Sequence, residues 1–366
     1  MPATVAQKST GPHRRPPRTS RPTLALGFIP LTDCAPVVAA QEWGFFRDEG
    51  LHLRLVREVG WASIRERLVF GEIDAAQALA PMAFTIKLGL AGPMADVLTA
   101  FVLNLQGNAI TLSRALRQKG VTDATTFGQL ARSERPRRMT LGIVASHSMH
   151  HILLRRWLAQ AGLRPERDVR IVTLPPPQMA RSLGSGAIDG FCVGEPWNTL
   201  AVRTQIGWCP ALSSEIIPLH PEKILLVRGA FAVNRPDEHL ALIRALDRAC
   251  RQCETPEGRA ELVNLLARKE YLNLAPQILK PALLGPFDRG NGQQAEPSAF
   301  HHFFRSAAND PSPDKALLLF QQMQAAGLLP PEPPTPGPML TQVFRQDLYR
   351  QALFPQPQPQ PQNARP

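Results

Sequence analysis

Phe70 to Leu79 reads FGEIDAAQAL, and Ser185 to Gly194 reads SGAIDGFCVG. The repeated core, Gly-x-Ile-Asp followed by a small residue, closes two longer stretches of the same build. Residues 39–79 run AAQEWGFFRDEGLHLRLVREVGWASIRERLVFGEIDAAQAL, and residues 154–194 run LRRWLAQAGLRPERDVRIVTLPPPQMARSLGSGAIDGFCVG. Each opens with an amphipathic helix that stops at a glycine. Each continues with a short alternating strand, LHLRLV or VRIVTL, then a second helix, WASIRERLVF or QMARSLGSG. The glycine of the motif suits a left-handed helix stop, the Ile starts a strand, and the Asp can bond backbone groups at the turn. Two further runs, PTLALGFIP at Pro22–Pro30 and RMTLGIVA at Arg138–Ala145, supply an opening strand to each half. Strand, helix, strand, helix, strand therefore occurs twice. Such alternation predicts parallel sheets with helices on both faces and ligands beyond the carboxyl ends of the strands. The expected architecture is an α/β clamshell of two lobes, with a small-ligand cleft between them that closes by hinge motion.

A chain of 366 residues has room for two such lobes, and a hydrophobic content of 44% is enough to fill their cores. The first 21 residues hold five basic side chains and no acidic one. They read as a disordered arm, and they leave +6 of the net charge of +11 to the rest. That arm could touch an acidic partner. It lacks interleaved aromatics, so direct nucleic-acid binding is not expected. The closing runs PPEPPTPGP and PQPQPQPQ read as polyproline-like and unpacked. The expected organisation is thus an arm over 1–21, a first lobe over 22–104 and a second lobe over 105–219. Residues 220–329 return to the first lobe with C-terminal helices, and 330–366 form a Pro-rich, mostly disordered tail.

Five cysteines without regular spacing do not make a disulfide framework, and Cys250-x-x-Cys253 falls inside a helical run. No run approaches the roughly 20 apolar residues of a membrane span, so no membrane anchor is expected. The segment before Cys34 carries a basic flank and a short apolar run. Its proline and the Thr32-Asp33 that follows fit an export signal poorly, and TLALGFIPL is needed as a strand. The expectation is a cytoplasmic protein.

Several motifs, LGFIPLTDCAPVVAAQEWGFFRDEGL, VGWASIRERL, LNLQGNAITLS, GFCVGEPWN and LHPEKILLVR, together resemble the nitrate- and bicarbonate-binding (NrtA/CmpA-like) family of type II periplasmic solute-binding proteins. The resemblance covers roughly Thr23 to Asn273. Within the family it is strongest to the cytoplasmic nitrate/nitrite sensors, the NasS-like branch. It implies a periplasmic-binding-protein type II clamshell with the ligand between the lobes, and no cofactor. It also implies site residues. Trp61 is similar to the tryptophan that lines the anion pocket, and Asn108 stands where transporter members have a glutamine, with Gln106 as a substitute. His150 matches the pocket histidine, with His147 and His151 as neighbouring registers. Lys223 matches the lysine that pairs with nitrate, where bicarbonate binders tend to carry an acid and a calcium ion. Glu195 and Trp197, in GEPWN, are second-rank candidates for the cleft.

Chemistry agrees with that list. A buried nitrate needs a cation and several donors to offset its desolvation. Lys223 offers charge, Asn108 an NH2 group, His150 a ring donor that titrates near neutrality, and Trp61 a flat wall with an indole N–H. Taken alone, each has a plainer reading: Trp61 as core packing, Lys223 as a solvated charge, GEPWN as a turn. The histidines of SHSMHH lack a carboxylate or thiolate at metal-binding spacing, so no metal is expected. No activated nucleophile or acid/base pair is apparent, so the chain reads as no enzyme. An alternative on the same scaffold, pyrimidine synthesis in thiamine metabolism, would need a cofactor lysine and a cysteine-rich segment. The expected function is a nitrate/nitrite sensor that sequesters an antiterminator partner, a NasT-like RNA-binding response regulator, until the anion binds. The alternative is the solute-binding component of a nitrate ABC transporter.

Overall fold

The computed structural model describes residues 23–296, 300–332 and 336–355. The basic arm and, from Gln356 on, the PQPQPQPQ run lie outside the described residues. Along the chain come β1 (Leu24–Phe28), β2 (Leu53–Arg57), β3 (Ala75–Leu79) and β4 (Val97–Leu105). Then follow β5 (Asn108–Ser113), β6 (Met139–Ile143), β7 (Val169–Thr173), β8 (Gly190–Gly194) and β9 (Gly207–Leu212), and finally β10 (Pro221–Arg228). They form two five-stranded sheets, ordered β2-β1-β3-β10-β4 and β7-β6-β8-β5-β9. The two orders are the same pattern, with helices packed around each sheet.

The repeated motif does the same work in both lobes. Gly71 and Gly186 end their helices at φ +79° and +74°, where only glycine is unstrained. Asp74 accepts a hydrogen bond from Ala25 N through Oδ2 at 3.0 Å, and its own N–H donates to Ala25 O at 2.9 Å. Asp189 makes the same pair with Thr140, at 2.8 and 2.7 Å. Each aspartate thus pins the start of one central strand to the second residue of its neighbour.

The sheets are not wholly parallel, as the alternation predicts. In each, one strand runs antiparallel: β10 between β3 and β4, and β5 between β8 and β9. The cause is the chain path. The chain enters the second lobe through β5 immediately after β4, and returns to the first through β10, so each of these strands comes from the opposite direction. The crossings are Gln106-Gly107 and residues 217–220.

The C-terminal part also differs from expectation. Within 220–329, where only helices are expected after the return, the run LLGPFDRGNGQQ forms a small hairpin, β11 (Phe287–Asp288) with β12 (Gln294–Ala295). The helix Pro313–Ala325 follows, with Phe320 edge-on to Phe84 of the first lobe at 5.7 Å. Within the expected Pro-rich tail, Pro336–Val343 and Gln346–Leu353 are helices. Prolines at a helix start lack only an N–H that has no intrahelical partner anyway. The buried Leu340, Val343 and Ala352 give these helices an apolar anchor on the first lobe, and Phe344 stacks on Phe84 at 5.6 Å.

Candidate functional site

The first turn of the helix Trp61–Phe70 faces the second lobe across a cleft of about 230 Å³. Trp61, Leu79 and Met82 line one wall, and Val144, Ser146 and His147 the other. Lys223 Nζ lies 5.3 Å from the centroid of the Trp61 ring, behind the cleft. Around it is a group of charged and polar side chains with no solvent contact. Asp33, Asn104, Asn108, His150, Glu195, His220, Glu222 and Lys223 are each at most 1% exposed.

Lys223 Nζ is 2.8 Å from Asp33 Oδ2 and 2.7 Å from Glu222 Oε1. Asp33 in turn accepts from Gln77 Nε2 at 2.6 Å, and Gln77 Oε1 accepts from Ile29 N at 2.9 Å. The other oxygen of Glu222 accepts from Asn108 Nδ2 at 2.6 Å. His220 Nε2 faces the same oxygen at 3.3 Å, and His150 Nε2 faces Oε1 at 3.6 Å. Glu222 and Lys223 are neighbours on β10, and successive strand residues ordinarily point to opposite faces. Register shifts between Pro221 and Leu226, where β10 pairs with β4, let both side chains reach one cluster.

Burial opposes every charge here, and the partners decide the outcome. For Glu222 the cost of burial is outweighed by Lys223, His150 and His220, which hold its carboxyl far below the usual range. Burial likewise works against the Lys223 ammonium, but Asp33 and Glu222 raise it above the ordinary lysine value. Asp33 is raised by burial, with Lys223 acting against the rise. His150 is pushed down to about 3, chiefly by burial, so its ring is neutral at pH 7. It does not titrate near neutrality as expected from sequence, because an exposed imidazole is the wrong reference for one with no solvent contact. Glu195 is pushed up to about 7 by burial, against a bond from Thr199 Oγ1 at 2.6 Å.

The expected residues fall into three places. His150 and Asn108 reach the buried cluster, with Lys223 at its centre, and Trp61 connects it to the cleft. His147 lines the outer cleft, and His151 Nδ1 sits 2.6 Å from the carbonyl of Ser146, so among the three neighbouring histidines it is His150 that reaches the cluster. The Asn108 NH2 group, expected to face a ligand, is directed at Glu222. Its Oδ1 is left without a hydrogen-bond partner. Gln106 is committed elsewhere: its Oε1 accepts from Leu219 N at 3.1 Å and its Nε2 donates to Phe300 O at 3.3 Å, bracing the two crossings. Glu195 and Trp197 are buried, and each keeps one polar atom, Oε1 and Nε1, without a hydrogen bond.

Asp33, Gln77, His220 and Glu222 were missed. Asp33 and Gln77 each interrupt an apolar run, in IPLTDCAPVV and DAAQAL, and Glu222 sits beside Lys223 at the head of the apolar KILLV. A polar residue inside a run destined for the core is the signal that would have found them. Besides the atoms already named, Trp61 Nε1 and both ring nitrogens of His150 have no hydrogen-bond partner. Buried polar atoms are normally satisfied, so these unpartnered ones set the cluster apart from an ordinary core.

Known proteins similar to this chain share its fold and place it in a family. Residues 18–267 match the model of the NMT1-like family. The chain is 32% identical to the nitrate/nitrite binding protein NrtA of Synechococcus elongatus over 90% of its own length and 77% of that protein. It is 39% identical to the nitrate import ATP-binding protein NrtC of Synechocystis, again over 90% of the chain. It spans about half the length of that relative and of the bicarbonate transport ATP-binding proteins CmpC that it also matches. The crystal structure of the periplasmic nitrate-binding protein NrtA from Synechocystis superposes with a TM-score of 0.86 at 27% identity, covering 90% of this chain and 88% of that one. The alkanesulfonate-binding protein SsuA of Xanthomonas axonopodis shares the fold at a TM-score of 0.65 and 17% identity. The repeated strand order, the inter-lobe cleft and these matches lead to one statement of kinship: the chain belongs to the NMT1-like family, among its NrtA/CmpA-like solute-binding proteins.

Proposed function

We propose that the chain binds nitrate or nitrite behind Trp61, as the solute-binding part of a nitrate import system. The observation that carries this reading is the set of buried donor-capable atoms without partners around a buried ammonium: Trp61 Nε1 and the two His150 ring nitrogens beside Lys223. An ammonium has three N–H donors, and Asp33 and Glu222 account for two of those of Lys223. The third, the indole N–H and a ring N–H of His150 give a flat anion with three acceptor oxygens the donors it needs. The names of the NrtA and NrtC relatives support nitrate over other anions, and the CmpC relatives make bicarbonate the competitor to test. Binding without chemistry is the reading throughout, since the two thiols beside the cluster, Cys34 and Cys192, are buried and held above the ordinary thiol value, chiefly by burial.

A second reading places the chain in the cytoplasm as a sensor that holds an RNA-binding regulator until the anion binds. One feature favours it. The helix Pro313–Ala325, rooted on the first lobe at Phe84, forms a groove of about 390 Å³ with the second-lobe helix Met149–Gln160, whose rim carries Arg155, Arg156 and Arg164. A groove with one wall on each lobe changes shape when the lobes close, which would make release of a partner depend on the anion.

The first experiment is a calorimetric titration of nitrate, nitrite, bicarbonate and chloride, with Lys223→Glu alongside. Binding of nitrate or nitrite that is lost in the variant supports the site. Binding of none of the four removes it. Reconstitution with the membrane subunits of an importer, set against co-purification with a purified antiterminator in the presence and absence of nitrate, separates the two readings.

A further inference from the structure

We propose that the anion is taken up together with one proton, held on the imidazole of His150, and that Glu222 is the residue that imposes this condition. The inference rests on the binding reading above and adds its charge requirement and specificity determinant.

The positive charge of Lys223 is already shared by two carboxylates, Asp33 Oδ2 at 2.8 Å and Glu222 Oε1 at 2.7 Å. An anion that approaches the third N–H of this ammonium therefore meets no uncommitted cation. It meets instead the Glu222 carboxylate, which its neighbours keep ionised. A second negative charge in a group with no solvent contact is costly unless a positive charge arrives with it.

His150 is the group able to supply that charge. Both of its ring nitrogens are buried and without hydrogen-bond partners, so the imidazole is uncommitted before the anion binds. The charged or titratable groups that act on it are Glu222, which favours its cation, and Lys223 and His220, which oppose it along with burial. His220 is buried too, with Nδ1 on the Ile217 carbonyl at 2.7 Å and Nε2 facing Glu222 Oε2 at 3.3 Å. His301, a further fully buried histidine near Lys223 and Glu222, is held down to about 3 by burial and by Arg259 and Lys223. Its Nδ1 faces Asn104 Nδ2 at 3.4 Å, so it is not a free alternative. Cys192, which senses the Glu222 charge, stays a neutral thiol.

An anion beside the ring adds a second negative neighbour to the 3.6 Å approach of Glu222 Oε1. The imidazolium then donates one N–H toward Glu222 and the other toward the anion. No covalent bond forms or breaks. A neutral imidazole, a proton from the buffer and the anion become an ion pair, and the net charge of the cluster is the same before and after. The same logic explains selection by charge: a dianion would need two protons to leave the charge of the cluster unchanged.

The test is calorimetry of the full chain with sodium nitrate, at pH 7.5, in buffers of differing ionisation enthalpy. The expected result is uptake of about one proton per nitrate, with Kd rising about tenfold per pH unit between pH 6 and 8. Glu222→Gln is expected to bind nitrate with near-zero proton uptake and a flat pH profile. His150→Gln is expected to bind more weakly than the native chain at pH 6, also with a flat profile. Nitrate binding by the native chain with no proton uptake and a pH-independent Kd overturns the proposal while leaving the anion site standing. Absence of nitrate and nitrite binding at every pH from 5.5 to 8 overturns the anion reading itself. The native-chain measurement decides the matter even if a variant fails to fold.

Discussion

Lys223 Nζ and Glu222 Oε1 lie 2.7 Å apart although the two residues are consecutive on one strand. An undistorted strand would put them on opposite faces, one toward each side of the sheet. The irregular pairing of β10 with β4 turns both inward, at the point where the chain has just crossed back from the second lobe. The site is therefore assembled from adjacent residues of β10 and completed by Asp33 of the first lobe with Asn108 and His150 of the second.

Because this cluster is closed to water, removing one member exposes the others to an uncompensated charge. Lys223→Met is expected to cost about 3–5 kcal/mol, since it leaves Asp33 and Glu222 facing each other without a cation. Urea unfolding of the variant at pH 7 checks this. A loss below about 1 kcal/mol would show that the two carboxylates relax by taking up a proton.

The aspartates of the repeat are a more local test. Asp189→Ala deletes the side-chain bond to Thr140 N and the ion pair with Arg137, 2.7 Å away, and is expected to cost about 1–2 kcal/mol. Asp74→Ala deletes the matching bond to Ala25 N and should cost a similar amount. If the repeat has one structural role, the two losses agree within error. A large loss at one site alone would contradict it.

Acid sensitivity follows from the buried imidazoles. His150 and His301 are held down to about 3 and His239 to about 4, all chiefly by burial, from an ordinary value of 6.5. A depressed histidine leaves stability intact above pH 6.5. It removes stability as pH falls below 6.5, because the unfolded chain then binds protons that the folded one refuses. At pH 5 each contributes a loss of about 2 kcal/mol. Denaturant titrations at pH 7, 6 and 5 in a Glu195→Gln background, which removes an opposing carboxyl, measure the sum, and His239→Gln should recover one share. Equal stability at pH 7 and 5 would refute it.

Glu195 acts in the opposite sense. Its carboxyl is raised to about 7 from 4.5, so the stability it gives by staying protonated is lost as pH rises between those values. Relative to the native chain, Glu195→Gln should gain about 2–3 kcal/mol of stability between pH 5 and pH 8. A difference that does not change with pH would show that Glu195 is ionised throughout.

Gly107 has φ +103°, and a Cβ there would stand 2.1 Å from the His301 ring. Gly107→Ala adds left-handed strain of roughly 1–2 kcal/mol and overpacking of roughly 1–3 kcal/mol. Thermal unfolding should show the loss, and nitrate titration of any folded fraction should show altered closure, because this residue is one of the two crossings. Native-like stability would mean that the segment after residue 300 moves aside easily.

The architecture could be read from the chain because it is written twice. Gly71 with Asp74 and Gly186 with Asp189 carry local geometry that any sequence reader can recognise, and they occupy equivalent places in the two sheets. The antiparallel strands could not be read that way. Strand direction in β5 and β10 depends on where the chain has come from, which no local pattern encodes. The site was half visible for a similar reason. Trp61, His150 and Lys223 stand out by residue type and by resemblance. Asp33, Gln77 and Glu222 matter only because folding brings residues from positions 33, 77 and 222 to one ammonium. Gln106 was misplaced because an amide beside a crossing serves the backbone as readily as a ligand. The helices of 336–353 were hidden by their prolines, which sit where a helix tolerates them.

The two crossings lie side by side. Leu105 pairs with Pro221 in one sheet and Ala109 with Leu212 in the other, so the second lobe leaves and re-enters the first through neighbouring strands. It is in effect an insertion with adjoining ends. Joining Leu105 to Pro221 by a short turn would leave a continuous first lobe, and the excised lobe would have termini close enough to cyclise. An ancestor with one lobe, or an engineered chimera that exchanges the second lobe between relatives to change the anion recognised, requires only two cuts, both at places where the backbone already leaves one sheet for the other.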